Sequence, residues 1–400
     1  MKNRPIALII AGSDSGGGAG LQADLKTLTS MGVFGVTVIT GLTAQNTIGV
    51  KSIYNVDPSF ISSQFDAVME DFSVKFGKTG MLSNESIIKA VQEKVKEYNL
   101  KLVVDPVMVS KTGSPLLDES SVDALKSLMK DALLSTPNKY EAEKLAGEKI
   151  TSLDDLKRVA RKLYNDIGNV VVKGGNMFNG TDVAMLDGQE MEIKSPKVNT
   201  SNLHGSGDVF SASIVGFLSK GASLIEAIEE SKKFVYFSIL NSLSIGKGKG
   251  PVDPFANAES VMERENGRKT LEELLYFIEG NKKFVSLMRD DFKANVSYLT
   301  NYGDVISLAG GIIKYIDKIK LDGPLLVNLD NDVTRIAKKV GGRIGILLPF
   351  SPLILKKAEM GIIKITDSGV EGDAVVFNGN IFLTASTLNQ MKNKIEVLWS

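Results

Sequence analysis

At about 150 residues per domain, the 400-residue chain allows two or three domains, and 43% hydrophobic with 24% charged residues is a globular composition able to bury cores. Its 47 basic and 47 acidic side chains cancel, which removes the global electrostatic case for nucleic acid or an anionic membrane and points to small-molecule partners. With no cysteine and one histidine, His204, a disulfide framework, a thiolate nucleophile, an iron–sulfur cluster and Cys- or His-rich metal sites are excluded.

Met1–Pro5 leads straight into the apolar run Ile6–Ile10, which is too short for a signal-peptide core. No uncharged apolar run reaches the roughly eighteen residues a membrane span needs, so no membrane association and a cytoplasmic location are expected. From there to Leu243, short β-branched runs alternate with amphipathic stretches. Strands are expected at Ala7–Ala11, Val36–Leu42, Val74–Lys78, Lys101–Asp105, Leu133–Thr136 and Val170–Lys173. Helices are expected at Leu21–Met31, Pro58–Phe72, Glu85–Tyr98, Ser120–Lys130, Lys139–Leu145 and Leu153–Asn165. This order predicts an α/β fold with βαβ crossovers and a mostly parallel sheet flanked by helices. Thr181–Leu186 and Glu190–Ile193 read as a hairpin on the turn Asp187-Gly188, followed by helices at Val209–Leu218 and Leu224–Leu243. Gly246–Pro254 holds three glycines and two prolines in nine residues, and a charged segment follows. The expected organisation is a domain over 1–255, a linker over 256–268, and a second, smaller α/β domain over 269–400 that opens on the helical pattern Leu271, Leu274, Leu275, Ile278.

Five glycines lie in the nine residues Gly12–Gly20, between a strand and a helix, where backbone can approach a ligand and a helix N-terminus offers N–H groups. A flexible turn is the competing explanation. Neither a G-x-G-x-x-G pattern nor a P-loop fits; Gly77-Lys78-Thr79 imitates a P-loop end without its first glycine. A second stretch, His204-Gly205-Ser206-Gly207-Asp208, runs into an apolar helix. Its backbone can cradle a phosphoryl group while Asp208 serves as base for an attacking hydroxyl, although Ser or Asp simply capping the helix is the bland alternative. Asp105 and Glu141 follow the ends of expected strands, where open α/β sheets bind ligands, and oxygen ligands of this kind suit Mg²⁺. Lys173, followed by Gly174-Gly175, is a natural phosphate contact.

Gly12–Thr27, Thr43-Ala-Gln-Asn-Thr47, Lys78–Met81, Val104–Met108, Thr136-Pro-Asn138 with Glu141, Lys173–Gly175 and His204–Asp208 together resemble, in order over about residues 5–255, the hydroxymethylpyrimidine and hydroxymethylpyrimidine-phosphate kinases of thiamine synthesis, within the ribokinase-like superfamily. The resemblance implies two successive ATP- and Mg²⁺-dependent phosphorylations, giving first a monophosphate and then a pyrophosphate. It places Gln45 on the aminopyrimidine, Gly12, Met81 and Val107 around it, and Asp24 in contact with it. Asp105 and Glu141 with Asn138 would order Mg²⁺ and the nucleotide, Lys173 would hold nucleotide phosphate, and Gly205–Asp208 would form anion hole and base. Many of these kinases carry Cys where Asp208 stands. A pyridoxal kinase is the competing enzyme, against which Gln45 argues, and a thiamine-pathway sensor is the non-enzyme alternative. A homodimer is the expected assembly.

Asn295–Leu299, Gly303–Ile312, Asn331–Ala337 and Ile365–Asp373 resemble more weakly an archaeal-type thiamine-phosphate synthase domain. That resemblance implies binding of thiazole phosphate or thiamine phosphate. The family's Pro-Gly-Arg-Ile stands here as Ala309-Gly310-Gly311-Ile312, without the arginine, and its histidine aligns with Asp332, so a non-catalytic domain is expected, with a bifunctional enzyme that also forms thiamine phosphate in this domain as the alternative.

Overall fold

The computed structural model describes residues 4–110, 113–366 and 372–399; residues 367–371, inside the expected motif Ile365–Asp373, lie outside it. The chain divides into two compact units, Met1–Ala258 and Glu259–Ser400. Among the described residues no helix is long and apolar enough to cross a membrane.

The first unit runs β1 (Ile6–Asp14), α1 (Gly20–Ser30), β2 (Phe34–Gln45), β3 (Val50–Asn55), α2 (Pro58–Met69), β4 (Phe76–Thr79), α3 (Glu85–Glu97), β5 (Lys101–Val104) and α4 (Val122–Lys130). It continues with β6 (Leu134–Ser135), α5 (Lys139–Ala146), α6 (Leu153–Ile167), β7 (Val170–Val172), β8 (Asp182–Leu186), β9 (Gln189–Ile193), α7 (Ser206–Ser219) and α8 (Leu224–Leu240). One nine-stranded sheet has the order β3-β2-β1-β4-β5-β6-β7-β8-β9. It is parallel from β2 to β7, and β3, β8 and β9 join antiparallel. The apolar run of β1 supplies both faces at a period of two: Leu8 and Ile10 enter one core, Ala7, Ile9 and Ala11 the other. The hairpin turns on Asp187 and Gly188, both with positive φ (+49° and +82°), as a two-residue primed turn requires. The β3 strand was not expected; it is the sheet edge, nearly all exposed, and its Val-Lys-Ser-Ile-Tyr-Asn has no alternating pattern.

The second unit is built on a six-stranded sheet, antiparallel throughout rather than of βαβ type. Its elements are α9 (Ala256–Glu279), β10 (Asn295–Leu299), β11 (Val305–Leu308), β12 (Gly311–Tyr315), β13 (Lys318–Asp322) and β14 (Leu325–Val327). They continue with α10 (Asp332–Val340), β15 (Ile344–Pro349), α11 (Pro352–Glu359), β16 (Ala374–Phe377), β17 (Asn380–Ala385) and α12 (Leu388–Trp399). The sheet order is β14-β11-β10-β15-β17-β16, with β12 and β13 a separate hairpin. Trp399 packs against Phe277 and Phe284, at ring separations of 5.9 and 6.2 Å.

The segment 256–268, expected as a linker, is the first half of α9. Its charges have partners within the second unit: Arg264 Nε meets Asp304 at 2.7 Å, and Glu263 receives the Asn301 amide and Arg343 at 3.0 Å. A charged stretch reads as a tether when its partners lie far away in sequence.

Candidate active site

The sheet order reverses at β1, and the carboxyl ends of the parallel strands open onto one cavity of about 470 Å³. Every residue expected in the site lines it except Asp24. Gly12, Met81, Gln45 and Val107 are part of its lining; a Cβ on Gly12 would sit 2.5 Å from the Met81 methyl, so this glycine lets the methionine close the wall.

The glycine-rich loop is organised by Asp14, which the sequence reading passed over. Its carboxylate accepts the N–H groups of Gly16 (2.8 Å), Gly18 (3.1 Å) and Ala19 (2.9 Å), so the amides expected to be open to a ligand are already paired. The same carboxylate meets His204 Nε2 at 3.1 Å, and that nitrogen lies 3.3 Å from the Gln45 amide. Burial raises the Asp14 carboxyl, but His204 and the Gly16 and Ala19 amides outweigh it and hold it below its ordinary value. His204 thus ties Gln45 to the loop, a positioning role.

Asp208 enters from the first turn of α7. No side chain caps this helix, which disposes of the simple capping alternative; its N-cap is Gly205 at φ +78°. A Cβ at Gly205 would collide with the Gly18 carbonyl, so the turn and the glycine loop can meet only through glycine. A Cβ at Gly207 would lie 3.3 Å from Lys173 Nζ and 3.4 Å from Asp105 Oδ2, which puts the cradle beside the charged pair.

Asp105 follows β5 and its Oδ1 pairs with Lys173 Nζ at 3.1 Å; Thr136 and Ser211 hydroxyls lie 3.4 Å from its two oxygens. Asn138 and Glu141 form a capping box on α5: Asn138 Oδ1 accepts the Glu141 N–H at 3.0 Å, and Glu141 Oε2 accepts the Asn138 N–H at 2.8 Å. The cap explains their spacing without a ligand, yet a surface cap needs no burial, and Glu141 is only 3% exposed. Burial, opposed by Lys173 and reinforced by Asp105, pushes its carboxyl up to about 8. A divalent cation between these two buried carboxyls would favour the ionised form of Glu141, and their all-oxygen donors fit Mg²⁺. Among the described residues no group of three or more His, Asp or Glu side chains converges as a ready-made metal site.

Asp24 is the correction. It is fully buried, away from the cavity wall, and its Oδ1 pairs with Lys78 Nζ at 2.6 Å. Lys78, which the sequence reading dismissed as the end of a false P-loop, is itself 1% exposed and reaches Asp208 Oδ1 at 3.2 Å. Its signal was a lysine inside an otherwise core-facing strand, Phe76-Gly-Lys-Thr79. Asp182 and Lys232, also unforeseen, form a buried pair at 2.6 Å on the same cavity.

A ribokinase-like sheet whose carboxyl edge carries an uncapped glycine cradle, a carboxylate and buried cations defines a small-molecule kinase. Residues 14–253 match the family described as phosphomethylpyrimidine kinase, and the chain belongs to that family. It is 43% identical over 256 residues to the hydroxymethylpyrimidine/phosphomethylpyrimidine kinase of Bacillus subtilis, covering 62% of this chain and 94% of that one. It is also 43% identical over 266 residues to the thiamine biosynthesis bifunctional protein ThiED of Geobacter sulfurreducens; the match takes in 65% of this chain and 54% of that longer protein. Among solved structures, the ADP complex of Bacillus subtilis pyridoxal kinase aligns with TM-score 0.60 at 34% identity, over 64% of this chain and 98% of that one. The phosphomethylpyrimidine kinase of Clostridium difficile aligns with TM-score 0.53 at 38% identity, over 58% and 98%.

Proposed function

We propose that the first unit transfers the γ-phosphoryl group of ATP to the hydroxymethyl oxygen of 4-amino-5-hydroxymethyl-2-methylpyrimidine, and then phosphorylates the monophosphate to the pyrophosphate. The observation that carries this reading is the uncapped Gly205–Asp208 turn lining the same cavity as Gln45, whose amide lies 3.3 Å from His204 just before that turn. Gln45 presents an amide to the aminopyrimidine, and Gly12, Met81 and Val107 enclose the ring. Asp208 takes the hydroxymethyl proton as that oxygen bonds to phosphorus and the bond to the departing ADP breaks. The α7 amides of the cradle, with the positive end of the helix, face the charge that gathers on the transferring group. Lys173 holds nucleotide phosphate, and Asp105 and Glu141 hold Mg²⁺, which supplies charge neutralisation on the phosphates when bound. In the second phosphorylation the nucleophile is already an ionised phosphate, so Asp208 matters less there.

A pyridoxal-type kinase is the second reading, favoured by the higher TM-score of that neighbour, 0.60 against 0.53. The second unit binds a thiamine-pathway phosphate without turning it over. Incubating the full-length protein with MgATP, thiazole phosphate and either the pyrimidine or pyridoxal, followed by product analysis, tests all of this. Pyrimidine pyrophosphate as the main product supports the reading; pyridoxal phosphate alone overturns it.

A further inference from the structure

Lys78 lies on β4 at the centre of the sheet, beneath the packed helices α1 and α7. An ammonium at 1% exposure must be paired, but one carboxylate suffices, and an apolar side chain would fill the space at no electrostatic cost. Lys78 has two partners: Asp24 of α1 at 2.6 Å and Asp208 of α7 at 3.2 Å. The two differ in surroundings. Asp24 is sealed in, and its second oxygen has no hydrogen-bond partner, so its carboxylate engages Lys78 alone. Asp208 stands on the cavity wall with its side chain 15% exposed.

We propose that Lys78, anchored from below by Asp24, is the positioning residue of the catalytic base: it holds Asp208 Oδ1 and thereby aims Oδ2 at the substrate hydroxyl. This rests on Asp208 being that base. The geometry fits the role: Asp24 holds the shorter bond and anchors the ammonium, which then meets Asp208 at the cavity wall. Burial works against the Lys78 ammonium, but Asp24, Asp208 and Asp105 outweigh it and hold its pKa above the ordinary lysine value. The charged groups that bear on this cluster are Asp24 from α1, Asp105 after β5 and Lys173 after β7.

The test compares kcat, KM and the acid limb of the kcat pH profile for Lys78→Met, Asp24→Asn and Asp208→Asn in the full chain. Lys78→Met removes the cation beside the base: kcat falls about 10- to 100-fold with both KM values within twofold, and the acid limb moves up by about one pH unit. Asp24→Asn frees Lys78 to bind Asp208 alone and moves the limb down. Opposite shifts are a signature that general damage to packing does not produce. If Lys78→Met fails to fold because it strands the Asp24 charge, Lys78→Met/Asp24→Asn removes both charges and should show a smaller upward shift, because only Lys78 touches Asp208 directly; if neither folds, the direction of the Asp24→Asn shift decides. Folded variants with unmoved limbs, or a loss confined to KM, overturn the positioning role. Asp208→Asn with less than a fivefold loss overturns the base assignment instead, whatever Lys78 does.

Discussion

The two units handle ionisable groups in opposite ways. In the first, Asp14, Asp24, Lys78, Asp105, Glu141, Asp182 and Lys232 are all less than a tenth exposed, and all but Asp24 and Lys78 line the one cavity those two lie beneath. In the second, Glu263 is the one charged side chain buried to that degree among the described residues, and Asn301 and Arg343 bind it as a structural link. Its remaining buried polar groups are hydroxyls. Because burying charge is costly, a convergent cluster of buried charges marks where chemistry is done, and its absence marks a unit held together by apolar packing. The predictions below probe that contrast, beginning with the largest effect.

Asp208→Asn should keep MgATP binding and lower the first phosphorylation by about 10²- to 10⁴-fold, the worth of a positioned general base. Steady-state kinetics with the pyrimidine checks this. Loss of nucleotide binding instead would move Asp208 from base to phosphate site.

The second unit should form thiamine phosphate no faster than background, even when the kinase unit feeds it pyrimidine pyrophosphate. A departing pyrophosphate needs cationic donors, each worth about 10²- to 10³-fold in rate. At one of the two positions Gly311 has φ +95°, and a Cβ there would stand 2.6 Å from the Ala294 carbonyl, so the backbone itself excludes an arginine. At the other, Asp332 is exposed and pairs with Arg335 at 3.2 Å, while Asp330 lies 3.6 Å from the same guanidinium. The nearby cation is thus already engaged by two carboxylates. Robust thiamine phosphate formation by the full chain would break the contrast between the units.

How much of this was legible beforehand follows the same division. In the first unit the strands that form the parallel sheet could be placed because each is a short, mostly apolar run between helical periods, and turn chemistry placed the Asp187-Gly188 hairpin. The glycine cradle and the carboxylates at strand ends are local motifs and were readable. Lys78 was not, because its meaning depends on Asp24, 54 residues away, and Asp208, 130 residues away. Asp14 was passed over and Asp24 was placed on the substrate for the same reason: which of these two aspartates binds the loop amides, and which is sealed against Lys78, depends on partners that sequence does not show. In the second unit, α9 was hidden by its own charges, whose partners Asn301, Asp304 and Arg343 lie well beyond it in sequence.

A smaller effect separates pyrimidine binding from nucleotide binding. Gln45→Leu removes a hydrogen-bond partner worth about 1–3 kcal/mol, so KM for the pyrimidine should rise roughly 5- to 150-fold while nucleotide affinity stays unchanged. Isothermal titration with nucleotide, beside kinetics with the pyrimidine, checks both halves. An equal loss of ATP binding would place Gln45 on the nucleotide instead.

The smallest effect is a pH dependence of stability from Glu141. Burial, with Asp105 adding to it and Lys173 opposing, raises its folded-state carboxyl to about 8 from an ordinary value of 4.5. Between those two values the folded chain keeps a proton that the unfolded chain has released, so the folded state binds more protons and stability falls as pH rises. The contribution is fully present below about pH 4.5 and is lost once pH passes through 8. Glu141→Gln keeps an acceptor for the Asn138 N–H but titrates nothing, so it should flatten this slope. Thermal unfolding of metal-free wild type and variant at pH 5, 6.5 and 8 should therefore show the variant gaining on the wild type as pH rises. A difference that stays constant across the range would mean that Glu141 is ionised throughout, and that Lys173 offsets its burial more fully than the geometry of the pair implies.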